Sequence, residues 1–347
     1  MYMESHEVGH KVAGMEKDIE SLVAMVSKVH DGIYGVVVGD MLGVPVEFSS
    51  REERINDPVT GPREGGPHDQ PLGAWSDDTS LSLALADALS TGYSLESISR
   101  TFIAWWVQKE YTSHDWVFDI GTQTRLSLNI VLKILESEDY EALELLHLEA
   151  NSNTNGNGSL MRILPLYFYL QTTNITLEAN FQTIWQVSAL THPHIRAALA
   201  CLVYLVLLDE LNQPDATTQS AYNAMQTRMQ RFYNTNPEAQ AQAEAAHFTR
   251  ILDQNIAHLE ESDIKSGGYV IETLEAAIWC LLTTNSFEEA VLKAINLGDD
   301  TDTTGAVTGG LAGFYYGIDT APAEWLKAIS EKDLINKICY KLNEKNR

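Results

Sequence analysis

Glycines recur every fourth residue at Gly35, Gly39 and Gly43, and again at Gly305, Gly309, Gly313 and Gly317. A spacing of four returns to the same face of an α-helix, so each segment reads as a helix with a side-chain-free groove along one side. In a bilayer such a repeat would signal helix dimerisation. Asp40, Glu47 and the acidic run at Asp300 argue against that here, and the apolar segments fall short of the roughly 18 residues a membrane span needs. The groove therefore implies two buried helices in close approach. From about Ser27 onward the apolar spacing is helical: Leu81, Leu85, Ala88 and Leu89 keep the period, as do Ala197, Ala200, Cys201, Tyr204 and Leu208, with Ile130, Leu132, Ile134 and Leu135 less regular. Convincing period-two strands are absent, which predicts an all-α fold.

At 347 residues and 44% hydrophobic content, with no long Pro/Gly/Ser linker, the chain reads as one main domain over residues 27–347. Residues 1–26 form an acidic N-terminal extension whose Ile19, Leu22, Val23 and Val26 could line one stripe of a short helix. The stretch 212–264, rich in Gln, Ala, Asn and Glu, reads as solvated helices punctuated by Pro214 and Pro237. A net charge of −25 argues against nucleic-acid binding, which rests on clustered Lys and Arg. Cys201, Cys280 and Cys339 lie in apolar helical patterns without ligand spacing and read as buried thiols of a reducing, cytoplasmic compartment.

Two acidic clusters stand at apparent helix starts. Ser76-Asp77-Asp78-Thr79 directly precedes an apolar-periodic helix, and Asp300-Thr301-Asp302-Thr303 precedes the second glycine helix. Either alone is an ordinary cap with an acidic first turn. If the two face each other, four carboxylates share a small volume, and their repulsion calls for cations. The hydroxyls of Ser76, Thr79 or Thr303 would add neutral oxygens, a donor set suited to Mg²⁺ and then Mn²⁺. Gly156-Asn157-Gly158-Ser159 reads as a tight turn opening a helix, whose backbone N–H groups could receive a diphosphate. Arg162 suits either phosphate or a core acid, with the acid pairing slightly favoured. Phe118-Asp119-Ile120-Gly121 sets a carboxylate among apolar neighbours, where desolvation raises its pKa as a general acid requires. His192 and His194 fit no metal spacing, and a packing or ribose contact suits the pair better. Glu47, just after Pro45, could orient a water or cap a neighbour.

In combination these motifs resemble the ADP-ribosylglycohydrolase family, most closely its bacterial arginine-specific branch, the dinitrogenase reductase-activating glycohydrolases. The resemblance runs in order from about residue 30 to residue 327. It takes in Gly39 to Glu47, the Asp77-Asp78-Thr79 start, Phe118 to Gly121, Gly156 to Arg162, Thr191-His192, Ser266 to Ala277 and the closing Asp300 helix. It implies an orthogonal multi-helix bundle with two Mg²⁺ or Mn²⁺ ions held by Ser76, Asp77, Asp78, Asp300, Asp302 and Thr303. It further implies Asp119 as the substrate-facing carboxylate, Glu47 beside the metals, and Gly156, Asn157, Gly158, Ser159, His192 and Tyr269 along the substrate. Two departures stand out: Ser76 replaces the more usual Thr, and Asp299 replaces a Gly, adding a carboxylate that could tune the second ion.

The implied activity is removal of ADP-ribose from modified arginine, with hydrolysis of serine-, acetyl-ester- or nucleic-acid-linked ADP-ribose as alternatives. The expected partners are an ADP-ribosylated protein and a cognate ADP-ribosyltransferase, gripped by the N-terminal arm. A non-catalytic immunity protein that blocks such a transferase is the competing reading. Recruitment as a structural protein is disfavoured by the intact ligand set.

Overall fold

A computed structural model describes residues 28–151, 153–235 and 239–345. The N-terminal arm expected over residues 1–26 lies outside the described residues. The described chain is helical, in the order α1 (28–43), α2 (Arg51–Asn56), α3 (Asp77–Ser90), α4 (Leu95–Ile103), α5 (Thr122–Ser137), α6 (Glu141–Leu145), α7 (Leu164–Gln171), α8 (Phe181–Ala189) and α9 (Ile195–Leu211). It continues through α10 (Thr218–Thr235), α11 (Ala239–Glu244), α12 (Thr249–Leu252), α13 (Val270–Leu282), α14 (Phe287–Ile295), α15 (Thr301–Tyr316), α16 (Ala323–Ala328) and α17 (Lys332–Lys345). Among the described residues there is no strand, only the isolated bridges Gly65–Gln70 and Gly156–Tyr269. The all-α expectation holds.

Helices α3, α9, α13 and α15 are buried on nearly every side and form the centre. A helix apolar all round belongs in a core. Outer helices such as α4, α14 and α17 carry one apolar face. Residues 212–264 differ from expectation: Tyr222, Met225, Met229 and Phe232 of α10 are buried, so this Gln- and Asn-rich helix packs one face inward. Ile130 of α5 is exposed, while Leu128, Val131 and Leu135 carry that helix's core contacts.

The glycine repeat sets the architecture. Helices α1 and α15, from opposite ends of the chain, cross with Gly35 against Gly309 and Gly39 against Gly305, so close that a methyl at Gly39 would overlap the Gly305 carbonyl. That contact brings the exit of α1 beside the start of α15. Thr301 Oγ1 donates to Gly43 O at 2.8 Å, and the backbones of Phe48 and Ser49 pair with Asp299 through two bonds of 2.7 Å each.

Candidate active site

Three helix ends meet where α1 leaves the glycine crossing. A short 3₁₀ turn, Val44–Val46, carries the chain from α1 to Glu47, which is buried. Asp40, inside α1 and fully buried, accepts from the backbone N–H of Ser76 (3.0 Å) and Thr79 (2.9 Å), so α1 itself caps the start of α3. Ser76 Oγ donates to Asp78 Oδ2 at 3.0 Å, and Thr303 Oγ1 reaches the same oxygen at 3.4 Å. The two acidic clusters therefore face each other, the condition that the sequence alone leaves open.

Beside these contacts Glu47, Asp300 and Asp302 each offer a carboxylate oxygen, all within 4.8 Å of one another. Asp302 Oδ1 accepts from the Thr303 N–H at 2.9 Å. Asp300 Oδ2 accepts from Asn157 Nδ2 at 2.8 Å. Two buried oxygens, Asp78 Oδ1 and Asp302 Oδ2, have no hydrogen-bond donor among the described residues, and neither does the Thr79 hydroxyl. Burial, then the neighbouring carboxylates, push Asp77, Asp78 and Asp302 well above the usual carboxylate range. Burial alone lifts Asp40 to about 6, despite the N–H and hydroxyl groups around it. An all-oxygen set of crowded acids with unsatisfied oxygens fits hard divalent cations. Ser76, Asp77, Asp78, Asp300, Asp302 and Thr303, which the resemblance implied as ligands, are brought together here.

Asp119 stands at the mouth, with φ of +51°, in the left-handed region that Asp tolerates better than most side chains. Its carboxyl is lifted to about 7 by burial and then by the Glu47 charge, with His68 opposing. His68 joins the two acids, its Nε2 lying 2.5 Å from Glu47 Oε2 and 3.7 Å from Asp119 Oδ1. The ring sits between Phe118 and Phe48, at centroid distances of 5.2 and 5.9 Å.

The Gly156 turn forms the opposite wall. It does not open a helix: residues 156–163 run through successive turns, and α7 begins only at Leu164, ahead of Pro165. The turn pairs instead with the loop before α13, through Asn157 N–H to Gly268 O at 3.1 Å and the Gly156–Tyr269 bridge. Gly156, Asn157 and Gly158 line the site, whereas the Ser159 side chain points into the core and accepts from Ser188 Oγ at 2.8 Å. His192 lies under the turn, and a methyl at Gly158 would come 2.5 Å from its Cε1. Tyr269 precedes α13 and accepts from Arg196 Nη1 at 3.1 Å. His194 caps α9 by accepting the Arg196 N–H.

Several expectations change in this setting. Arg162 pairs with neither a phosphate-facing surface nor a core acid. It is fully buried over the Phe102 ring at 4.6 Å and donates to Val187 O and Thr191 Oγ1. Asp299 is exposed and has φ of +59°, so its position favours glycine for backbone reasons, and its carboxylate lies outside the buried cluster. Sequence reasoning missed His68 and the capping role of Asp40. Asp40 had a signal, a carboxylate amid the apolar run Val36 to Leu42; His68, in a Gly- and Pro-rich loop, had none.

An all-α bundle that gathers two opposed carboxylate clusters at helix starts is thus the setting of the site. The ADP-ribosylglycohydrolase family model matches residues 22–347. The chain belongs to the ADP-ribosylglycohydrolase family. It is 30% identical over 314 residues to the ADP-ribosylarginine hydrolase Tri1 of Pseudomonas putida, covering 89% of this chain and 76% of that one. It is 27% identical over 316 residues to the ADP-ribosyl-dinitrogen reductase glycohydrolase of Rhodospirillum rubrum, covering 88% and 92%. Among solved structures, a chain described as an ADP-ribosylglycohydrolase-related protein complex superposes with a TM-score of 0.71 at 26% identity, covering 93% of this chain and 99% of that one. No described helix is long and apolar enough to cross a membrane.

Proposed function

We propose that this chain is a divalent-cation-dependent hydrolase that removes ADP-ribose from arginine side chains of modified proteins. The observation that carries the reading is the opposed pair of acidic helix starts with the unpartnered buried oxygens Asp78 Oδ1 and Asp302 Oδ2. The arginine linkage is favoured by the relatives named ADP-ribosylarginine hydrolase.

Bound Mg²⁺ or Mn²⁺ would supply Lewis acidity for the distal ribose hydroxyls and for the attacking water. The protein residues do the rest. Gly156 to Gly158, with Asn157 held on Asp300, form the wall against which the ligand lies. Asp119, lifted to about 7, keeps a proton near neutral pH and delivers it to the guanidine nitrogen as the bond to the anomeric carbon breaks. Glu47, fixed by His68, orients the water whose hydroxyl ends on that carbon, and the proton the water releases returns to the Asp119 carboxylate and restores the acid. The products are ADP-ribose and unmodified arginine.

The same activity would counter an ADP-ribosylating toxin, and the acidic residues 1–26 with their apolar stripe suit an arm that grips a cognate transferase. Three buried free thiols accord with action in the cytoplasm. Chromatography of free ADP-ribose after incubation with an ADP-ribosylarginine peptide tests the proposal. Release with Mg²⁺ and none with chelator is expected; no release under either condition refutes it.

A further inference from the structure

Arg162 is a permanent cation buried without a carboxylate among its described contacts, and its Nε and Nη1 have no partner there. Burial lowers its pKa to about 10, which still leaves it charged at neutral pH. Such a group is costly to bury unless its hydrogen bonds are well made. Its shortest bond is Nη2 to Thr191 Oγ1, at 2.7 Å, and Thr191 Oγ1 lies 3.1 Å from His192 Nδ1.

Donor counting orients this chain of contacts. The guanidinium can only donate, so Thr191 Oγ1 accepts from it. The Thr191 hydroxyl proton then has His192 Nδ1 as its one described acceptor, which makes Nδ1 the lone-pair nitrogen and leaves the ring proton on Nε2. Burial and the nearby Arg162 charge lower the His192 pKa to about 3, so the ring stays neutral. The Nε2 edge lies beside Gly156 and Gly158, on either side of the Asn157 that holds Asp300. No described hydrogen bond engages Nε2.

We propose that Arg162 and Thr191 are positioning residues that fix His192 as the Nε2–H tautomer, so that the ring presents a neutral hydrogen-bond donor to an acceptor oxygen of ADP-ribose. The inference rests on the functional reading above for the identity of the ligand, but not for the tautomer. A neutral donor is strong toward an acceptor and needs no proton uptake when the ligand arrives. In the other tautomer Nε2 would present a lone pair to the ligand oxygen and repel it.

The test is Thr191→Val, an isosteric change that leaves Arg162 its bond to Val187 O, with Thr191→Ser as the variant that restores the hydroxyl. Long-range ¹⁵N–¹H spectra of the full chain labelled at histidine separate the two tautomers, with the His192 signal assigned by its loss in His192→Gln. The wild type and Thr191→Ser are expected in the Nε2–H form, and Thr191→Val in a mixture. By calorimetry Thr191→Val binds ADP-ribose about tenfold more weakly, the worth of one hydrogen bond, and Thr191→Ser within about twofold of wild type. KM rises more than kcat falls. Loss confined to ADP-ribose places the acceptor on the distal ribose, and equal loss with ADP places it on the ADP moiety; both support a donor. A wild-type Nδ1–H or charged ring, or unchanged tautomer and affinity in Thr191→Val, overturns the proposal. The spectra are read without ligand, so a chain that binds no ADP-ribose refutes the functional reading and the ligand half of this proposal, while the relay is still judged by the spectra.

Discussion

Replacing Asp302 by Asn removes a buried charge where crowding is greatest. The Asp302 side chain is fully buried, keeps one oxygen on the Thr303 N–H and leaves the other without a donor. Glu47 and Asp300 lie within 4.8 Å, where each charged pair costs about 3–4 kcal/mol at an effective dielectric near 20. The protein limits that cost by taking up a proton. Protonating an ordinary carboxyl of pKa 3.8 at pH 7 costs about 4 kcal/mol, which caps the penalty Asp302 imposes on the metal-free fold. Asn keeps the acceptor for Thr303 and carries no charge, so the metal-free variant is expected to be more stable, by up to about 4 kcal/mol near neutral pH. For a chain of 347 residues that is about 5 °C in Tm. The sign follows from linkage: the folded Asp302 pKa is raised, so the wild type loses stability relative to the variant as pH rises above about 4, and the two converge below it. Adding Mg²⁺ reverses the order, because only the wild type gains binding free energy. The assay is thermal melting of both proteins with chelator and with Mg²⁺ across that pH range. A metal-free variant that melts below wild type at neutral pH, or a difference independent of pH, would refute the reasoning.

The remaining expectations concern single side chains and one segment. Asp119→Ala should lower kcat about a hundredfold or more while ADP-ribose affinity changes little, as steady-state kinetics and calorimetry would show; weaker binding with wild-type turnover would make Asp119 a binding residue. His68→Gln should lower turnover by releasing Glu47, with the thermal melt nearly unchanged, since the ring is partly exposed at the mouth. Gly39→Ala should destabilise the fold by about 3 kcal/mol or more, because the methyl meets the Gly305 carbonyl rather than a flexible side chain. Chemical denaturation reads that loss, and a stable variant would show that the two helices can part. Deleting residues 1–26 should leave hydrolysis unchanged and weaken capture of a cognate transferase; equal capture leaves the arm without that role.

Much of the site was legible because helix periodicity and capping are local. The fourfold glycine spacing gave the α1–α15 crossing in advance, since only that period keeps one face bare. The two acidic helix starts were visible for the same reason; that they face each other is only a condition in the sequence and is read from the Thr303–Asp78 contact. What escaped depends on partners far along the chain. Asp40 acts only through the backbone of α3, and His68 acquires its place from Glu47 and Asp119 on separate loops. The Gly156 segment looked like a helix start because Asn-Gly is a common turn dipeptide, yet its Asn157 N–H pairs with Gly268 O in the loop before α13. Arg162 read as serving phosphate or, slightly ahead, pairing with a core acid; its partners are instead carbonyls, a hydroxyl and an aromatic face.

The central claim is that the opposed acidic clusters serve hydrolysis of arginine-linked ADP-ribose with a divalent cation. Its most direct test is the initial rate of ADP-ribose release from arginine-, serine- and nucleic-acid-linked substrates, with Mg²⁺ and with chelator, beside Asp302→Asn. The account predicts release from the arginine linkage above the others, abolished by chelator and by the variant. Full turnover by Asp302→Asn, or equal rates with chelator present, would contradict it.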